Sequence, residues 1–540
     1  MSGSLTRHLN SLTATLLAPA LLAASTPALS AQEARGAPPA SDRPTLVVFI
    51  TVDQMRSDYH DRFADQLNGG LARLYRGAVF TNAHQDHAIT ETAPGHASTM
   101  SGRFPAHTGI VRNSAGVNDD QSPLIGGGGP GASPFRFRGS TLMDWMRIAD
   151  PRSRGLSISR KDRGAILPLG RAHQSVFWYA SDGRFTTSDY YADTLPTWLQ
   201  RFNARRIPHQ HVGRQWTLLL PESAYPERDS VTLENRGRDF LFPHTVPTDT
   251  ARALAAFINY PFMDELIADA ALEGVRTMGL GTGPQTDLLA VSFSTTDAVG
   301  HAFGPDSREL HDQILRLDRV LGRFMDSLLV LRDSSRVIFT LTGDHGVAPL
   351  PEIDSYYEHP GAMRYDARAI TAAGDSVLRS FGVPEGAMTM EDHMLRVEDP
   401  EALRRLGIPT GLVVEAYAEA VRRVPGVARV DRWRDLAAMD TVTDDVARRW
   451  LHMVPPDMAP ELVVTISPFS VSTTQTSYSH GLPYDHDSRV PVVFYGAPFA
   501  PGRYDSFTRV VDMAPTLAEV LGISPTEALD GRVLRQALRR

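Results

Sequence analysis

The sequence predicts an α/β fold, a central and mostly parallel sheet flanked by helices, with cap insertions between its strands. Three apolar, β-branched runs carry that prediction: TLVVFITVD ending at Asp53, DLLAVSFSTTD ending at Asp297, and SRVIFTLTGDHG ending at Asp344 and His345. Runs without polar alternation fit strands covered on both faces. All three finish in acidic residues. In open α/β sheets the ligand crevice lies beyond the carboxyl ends of the strands, so tips far apart in sequence can converge on one place. ELVVTISPF and VPVVFYG read as further strands of the same sheet. Periodicity and boundary residues predict helices over 59–75, 261–277, 308–331 and 511–521.

The chain has 540 residues and no cysteine, 54 Lys+Arg against 62 Asp+Glu, and 42% hydrophobic residues. Disorder, a disulfide scaffold and thiolate metal sites are excluded. A net charge of −8 carries no polybasic footprint, so no nucleic-acid partner is expected and an anionic substrate must be attracted locally. Residues 1–31 read as an export signal, with Arg7 and His8 before LTATLLAPALLAA and then the small residues of TPALSA. The apolar stretch, interrupted by Pro19, falls short of the ~20 residues a spanning helix needs, so no transmembrane anchor is expected after cleavage. Periplasmic or secreted localisation follows. Residues 32–44 read as a disordered, Pro-rich leader. The rest, 45–540, reads as a single domain with cap insertions at about 113–260 and 350–460.

The strand tips hold the chemistry. Asp297 and His301 stand four apart in TTDAVGHAFG, so a strand end turning into a helical turn aims both at one cation. Asp344 and His345 are adjacent, and His480 precedes a glycine and a buried strand in SHGLPYDHDSRVPVVFYG. With Asp53 these are oxygen and imidazole donors, suited to zinc and numerous enough for two ions. Thr92 stands before Ala93-Pro94-Gly95, at a predicted helix start. Its setting fits either an N-cap threonine or a group whose bound phosphate or sulfate faces the helix N–H groups. His96, within that helix, reads as structural, and Phe104 and Trp178 read as core.

TVDQMR, TAPGHAS, TTDAVGHAFG, TGDHG, the SHG before VPVVFYG, and VVDMAPTLAEVLGI follow one another from Asp53 to about Leu521. In this order they resemble the alkaline phosphatase superfamily, and within it the periplasmic PafA-type alkaline phosphatases with a threonine nucleophile. The resemblance implies one zinc on Asp297, His301 and His480, and a second on Asp53, Asp344, His345 and the Thr92 oxygen. It makes Thr92 the nucleophile and gives Asn113, Lys161 and Arg163 the non-bridging phosphate oxygens. Read alone, the Lys-Asp-Arg of SRKDRGAILPLG would be a solvated loop. The implied reaction is hydrolysis of small-molecule phosphate monoesters to inorganic phosphate through a phosphothreonine, with two Zn2+ per chain. A phosphodiesterase or nucleotide pyrophosphatase of the same superfamily is the alternative, sharing the metal ligands but looking different at Lys161 and Arg163. A non-catalytic metal- or phosphate-binding relative is a third reading. The absence of cysteine and the Thr-Ala-Pro-Gly setting disfavour a sulfatase.

Overall fold

A computed structural model of the chain describes residues 43–540, except 128, 355–358, 360, 476 and 540. The export signal and all but the end of the leader lie outside the described residues. In chain order the strands that matter here are β1 (Leu46–Val52), β2 (Ala78–Phe80), β3 (Gly155–Ser159), β4 (Ser175–Tyr179), β5 (Phe185–Thr186), β6 (Asp287–Phe293) and β7 (Val337–Thr342). They continue with β8 (Met388–Glu391), β9 (Met394–Val397), β10 (Val427–Arg432), β11 (Leu462–Ile466), β12 (Val492–Tyr495) and β13 (Gly502–Tyr504). The helices used below are α1 (Tyr59–Phe63), α2 (Gly70–Leu74), α3 (Thr92–Ser101), α4 (Asp162–Ile166), α5 (Phe262–Met278), α6 (Thr295–Phe303), α7 (Arg308–Leu331), α8 (Ala367–Ser380), α9 (Thr410–Arg422) and α10 (Met513–Leu521).

A nine-stranded sheet runs in the order β13-β2-β12-β7-β1-β6-β3-β4-β5. Its centre is parallel, β1 pairing with β6 and β7 and β3 with β4 and β6, while β12 and β5 pair antiparallel to their inner neighbours. The uninterrupted hydrophobicity of β1 follows from burial on both faces. Leu46, Val48, Ile50 and Val52 pack into a core shared with α5 and α7, whereas Val47 and Phe49 pack into another shared with α10. Full burial contributes about 1.5–3 kcal/mol for each large apolar side chain, which is why no polar residue alternates here.

Three sequence expectations change. The helix predicted over 59–75 is two short ones, α1 and α2. Between them the backbone N–H groups of Asn68 and Gly69 donate to the Asp318 carboxylate of α7, as does Ala72. A Cβ on Gly69 would lie 2.3 Å from the Asp318 carbonyl oxygen, so only glycine permits this approach. ELVVTISPF is not a strand of the central sheet. It forms β11 of a separate antiparallel sheet, ordered β8-β9-β11-β10. Leu462, Val464 and Ile466 pack with residues of α8 and α9 on one face, and Val463 packs with Trp450 and Met453 on the other. An apolar run records two-faced burial without saying in which sheet. The stretch 113–260, expected as an insertion, also supplies β3, β4 and β5 to the central sheet. The helix over 308–331 matches α7 at both ends, and its N-cap Ser307 accepts from the Leu310 N–H.

Candidate active site

Four adjacent central strands deliver the site. Thr51 of β1 is level with Thr342 of β7 and Ser292 of β6, and Ser292 is level with Ser159 of β3. Just past this row come Asp53, Asp344 with His345, Asp297 within the first turn of α6, and Lys161. Register alone brings together residues as much as 292 positions apart. Asp53, Asp344 and His345 have no exposed surface, and Asp297 only 3%.

Lys161 lies among the carboxylates. Its Nζ is 2.7 Å from Asp53 Oδ2, 2.8 Å from Asp297 Oδ2 and 3.1 Å from Thr92 Oγ1. Arg160 adds a second cation, its Nη2 3.1 Å from Asp297 Oδ2. Neither oxygen of Asp53 receives a well-directed hydrogen bond, nor does Asp344 Oδ2. Buried anionic oxygens left in this state are costly unless a cation meets them. Burial, then Asp297 and Asp344, push the Asp53 carboxyl up to about 6. Burial also opposes ionisation of Asp297, but Lys161, His301 and Arg160 override it and hold that group well below the usual carboxylate range. Asp344 is likewise lowered against its burial, by His345 and then His96.

The imidazoles share one arrangement. Nδ1 of His301 lies 2.7 Å from the Tyr478 carbonyl, that of His480 is 2.7 Å from the Thr90 carbonyl, and that of His345 is 2.9 Å from the Gly346 carbonyl. With Nδ1–H donated to a carbonyl, Nε2 carries a lone pair, as in metal-ligating histidines. Burial, followed by His345 and His301, keeps His480 neutral by lowering its pKa well below the usual value. His301 Nε2 is 3.2 Å from Asp297 Oδ1, four residues earlier on α6, as the spacing predicted.

The ligand atoms of Asp297, His301 and His480 lie within 4.8 Å of one another, as do those of Asp53, Asp297 and His345. This donor set, in which neither Asp53 oxygen nor Asp344 Oδ2 accepts a well-directed hydrogen bond, fits two divalent cations. Asp344, expected in the second set, accepts from the Gln54 N–H on Oδ1 at 3.0 Å and stands 3.1 Å from His96 Nδ1 through Oδ2. Its Oδ2 remains 3.6 Å from His345 Nε2, at the edge of the same group.

Thr92 is the first residue of α3, whose ten residues are all buried. Its Oγ1 lies 3.4 Å from His345 Nε2. Asn113 braces this helix start: its Oδ1 accepts from the Ala93 N–H at 2.8 Å, and its own N–H donates to Glu91 Oε2 at 2.7 Å. Arg163, on α4, stands 3.6 Å from Asp162, and its buried Nε has no hydrogen-bond partner among the described residues.

Sequence reasoning missed two neighbours, Gln54 and Arg160, and one contact of a third, His96. Gln54, at φ +63, turns the chain after β1 and presents its N–H to Asp344 and its side-chain amide to Asp297. Arg160 carried no signal beyond adjacency to Lys161. His96 is structural in the sense expected, with Nδ1 3.0 Å from the Thr92 carbonyl and Nε2 3.0 Å from Ser292 Oγ, but it also faces Asp344. Phe104 and Trp178 are core residues, Phe104 stacking on His452 at 3.9 Å.

Comparison with known proteins bears on family and fold. The profile of the type I phosphodiesterase / nucleotide pyrophosphatase family matches residues 47–378. Alkaline phosphatase PhoV of Synechococcus elongatus is 28% identical over 518 residues, covering 92% of this chain and 93% of that protein. Alkaline phosphatase PafA of Elizabethkingia meningoseptica is 27% identical over 542 residues, covering 95% and 97%. A crystal structure of alkaline phosphatase PafA superposes with a TM-score of 0.85 at 26% identity, over 92% of this chain and 99% of that one. A solved variant of PafA replaces a threonine, an asparagine, a lysine and an arginine in that order, the last two separated by one residue. Sheet order, site and matched length together assign the chain to the type I phosphodiesterase / nucleotide pyrophosphatase family, within the alkaline phosphatase superfamily.

Proposed function

We propose that this protein is an exported, zinc-dependent alkaline phosphatase that hydrolyses small-molecule phosphate monoesters through a phosphothreonine on Thr92. The observation that carries the reading is Lys161 Nζ, 3.1 Å from Thr92 Oγ1 and bridging two buried aspartates. Full-length similarity to PhoV and PafA supports it, as does the order of threonine, asparagine, lysine and arginine shared with PafA. Export is supported by the signal-like residues 1–31. Among the described residues no helix is long and apolar enough to cross a membrane.

In this reading Asp297, His301 and His480 would hold one zinc, and Asp53, Asp344, His345 and the Thr92 oxygen would hold the other. When bound, the ions supply Lewis-acid stabilisation of the entering and departing oxygens and lower the pKa of the threonine hydroxyl. Thr92 Oγ attacks phosphorus and the bond to the leaving-group oxygen breaks. Water then attacks the phosphothreonine, the P–Oγ bond breaks, and inorganic phosphate departs. Lys161 offsets charge on the transferred group beside Thr92. Arg163 and the amide nitrogen of Asn113 stand ready for its other non-bridging oxygens, the positioning and charge stabilisation that dominate phosphoryl transfer. His96 and Ser292 fix the helix start that aims Thr92.

A monoester offers three non-bridging oxygens and two negative charges, matching two cationic side chains and an amide beyond the metals. A diester presents one oxygen fewer. The family profile, named for phosphodiesterases, keeps diester hydrolysis as the second reading. Acid quenching during p-nitrophenyl phosphate turnover, followed by mass spectrometry, should find phosphate on Thr92. Activity retained by Thr92→Ala would refute the mechanism.

A further inference from the structure

We propose that the leaving-group side of the site carries a second anion-binding subsite, built on Arg236 and Arg238, which selects monoesters whose leaving group bears its own phosphate or carboxylate. The inference rests on the phosphatase reading and extends it to substrate class. In-line transfer sends the leaving group away from Thr92. Within the ligand set Asp53, Asp344 and His345 are sealed, whereas the His301 side chain is 35% exposed. The site therefore opens past His301. A cavity of about 410 Å3 begins there, with His301 and Ala298 of α6 in its wall and Arg236 and Arg238 facing them.

Among the described residues the two guanidiniums have neither a carboxylate partner nor a hydrogen bond; only the backbone N–H of Arg238 is engaged, donating to the Asn235 carbonyl. They sit on a loop whose backbone is forced. Asn235 at φ +44, Arg236 at φ +60 and Asp239 at φ +45 all adopt the left-handed region, which non-glycine residues rarely occupy. Such strain persists only where surrounding structure over-determines it, and it clusters at ligand-binding segments. Glu234, which opens this loop, is only 3% exposed. The one carboxylate of the cavity wall, Asp239, lies 3.5 Å from His244 Nδ1. Among the described residues another cavity reaches the ligand set, about 180 Å3 beside His480, but Glu91 and Asp392 line it and disfavour a second anion. Two unpaired guanidiniums suit phosphate or carboxylate, each able to accept forked hydrogen bonds.

The test compares kcat/KM for glycerol 1-phosphate, 3-phosphoglycerate and propane-1,3-diol bisphosphate in the wild type, in Arg236→Gln/Arg238→Gln and in Arg236→Lys/Arg238→Lys. The wild type should favour at least one of the two anionic leaving groups over glycerol by about tenfold, and added salt should shrink that preference. The glutamine variant should erase it and the lysine variant keep part of it. Preference for the carboxylate, for the phosphate or for both identifies what the arginines hold. A wild type indifferent to leaving-group charge, or a glutamine variant that loses all three substrates alike, would overturn the subsite and leave the phosphatase reading intact. No turnover of any monoester by the wild type would overturn that reading, and the subsite with it.

Discussion

Replacing Gly95 by alanine tests how tightly the helix carrying Thr92 is seated on the strand end carrying Asp344. Gly95 lies three residues into α3, and a Cβ there would stand 2.2 Å from the Asp344 carbonyl oxygen and 2.8 Å from its Cβ, against an ordinary contact of 3.4–4 Å. The nearest atoms are backbone, so no side chain can rotate aside. Relief requires α3 to withdraw by about 1 Å, and a misplacement of that size costs about 100-fold in rate, equivalent to about 2.7 kcal/mol of transition-state stabilisation. Overpacking adds about 1–3 kcal/mol of lost stability. Steady-state kinetics on p-nitrophenyl phosphate, with thermal unfolding of the same preparation, measures both. A variant with kcat/KM within about threefold of the wild type and an unchanged Tm would show that Thr92 and Asp344 are not rigidly opposed, and would refute the argument.

Other outcomes follow from the same structure. Asp86 is fully buried, accepting from Arg448 Nε at 3.0 and 3.1 Å and from Arg509 Nε at 2.8 Å; Asp86→Ala removes the buried carboxylate these cations share and should cost about 3 kcal/mol in urea unfolding. Chelator-treated protein should gain about 4 kcal/mol of stability from free zinc at a thousandfold excess over Kd, and His301→Ala should diminish that gain. Burial pushes the Asp487 carboxyl from its ordinary 3.8 up to about 8, so the native state holds a proton that the unfolded chain releases. Its contribution is complete below pH 3.8, falls by up to about 1.4 kcal/mol per pH unit as pH rises towards 8, and is gone above it. Asp487→Asn should flatten that slope.

The central strands were legible because two-faced burial leaves an uninterrupted β-branched run, and because each run stopped at an acidic residue. Asp297 and His301 were legible from their four-residue spacing, which α6 converts into a 3.2 Å contact. Resemblance, rather than local pattern, singled out Lys161 and Arg163. Where the reading failed, a long-range contact was responsible. Asp318, some 250 residues from Asn68, breaks the helix predicted over 59–75 by capturing its N–H groups. The placement of β11 depends on which helices cover it, and the sequence of ELVVTISPF is silent on that. Gln54 escaped because its role lies in a left-handed turn, and Arg236 and Arg238 escaped because their meaning depends on a cavity shared with α6, some sixty residues further along.

In the proposed mechanism, the tuning of this site to a monoester dianion comes from cations beyond the metals. It is tested most directly by kcat/KM for p-nitrophenyl phosphate and for bis-p-nitrophenyl phosphate, measured in the wild type and in Lys161→Ala/Arg163→Ala. The wild type should be faster on the monoester, and the double variant should lose about 100-fold or more on the monoester with a much smaller loss on the diester. A wild type faster on the diester, or equal losses on both substrates, would contradict it.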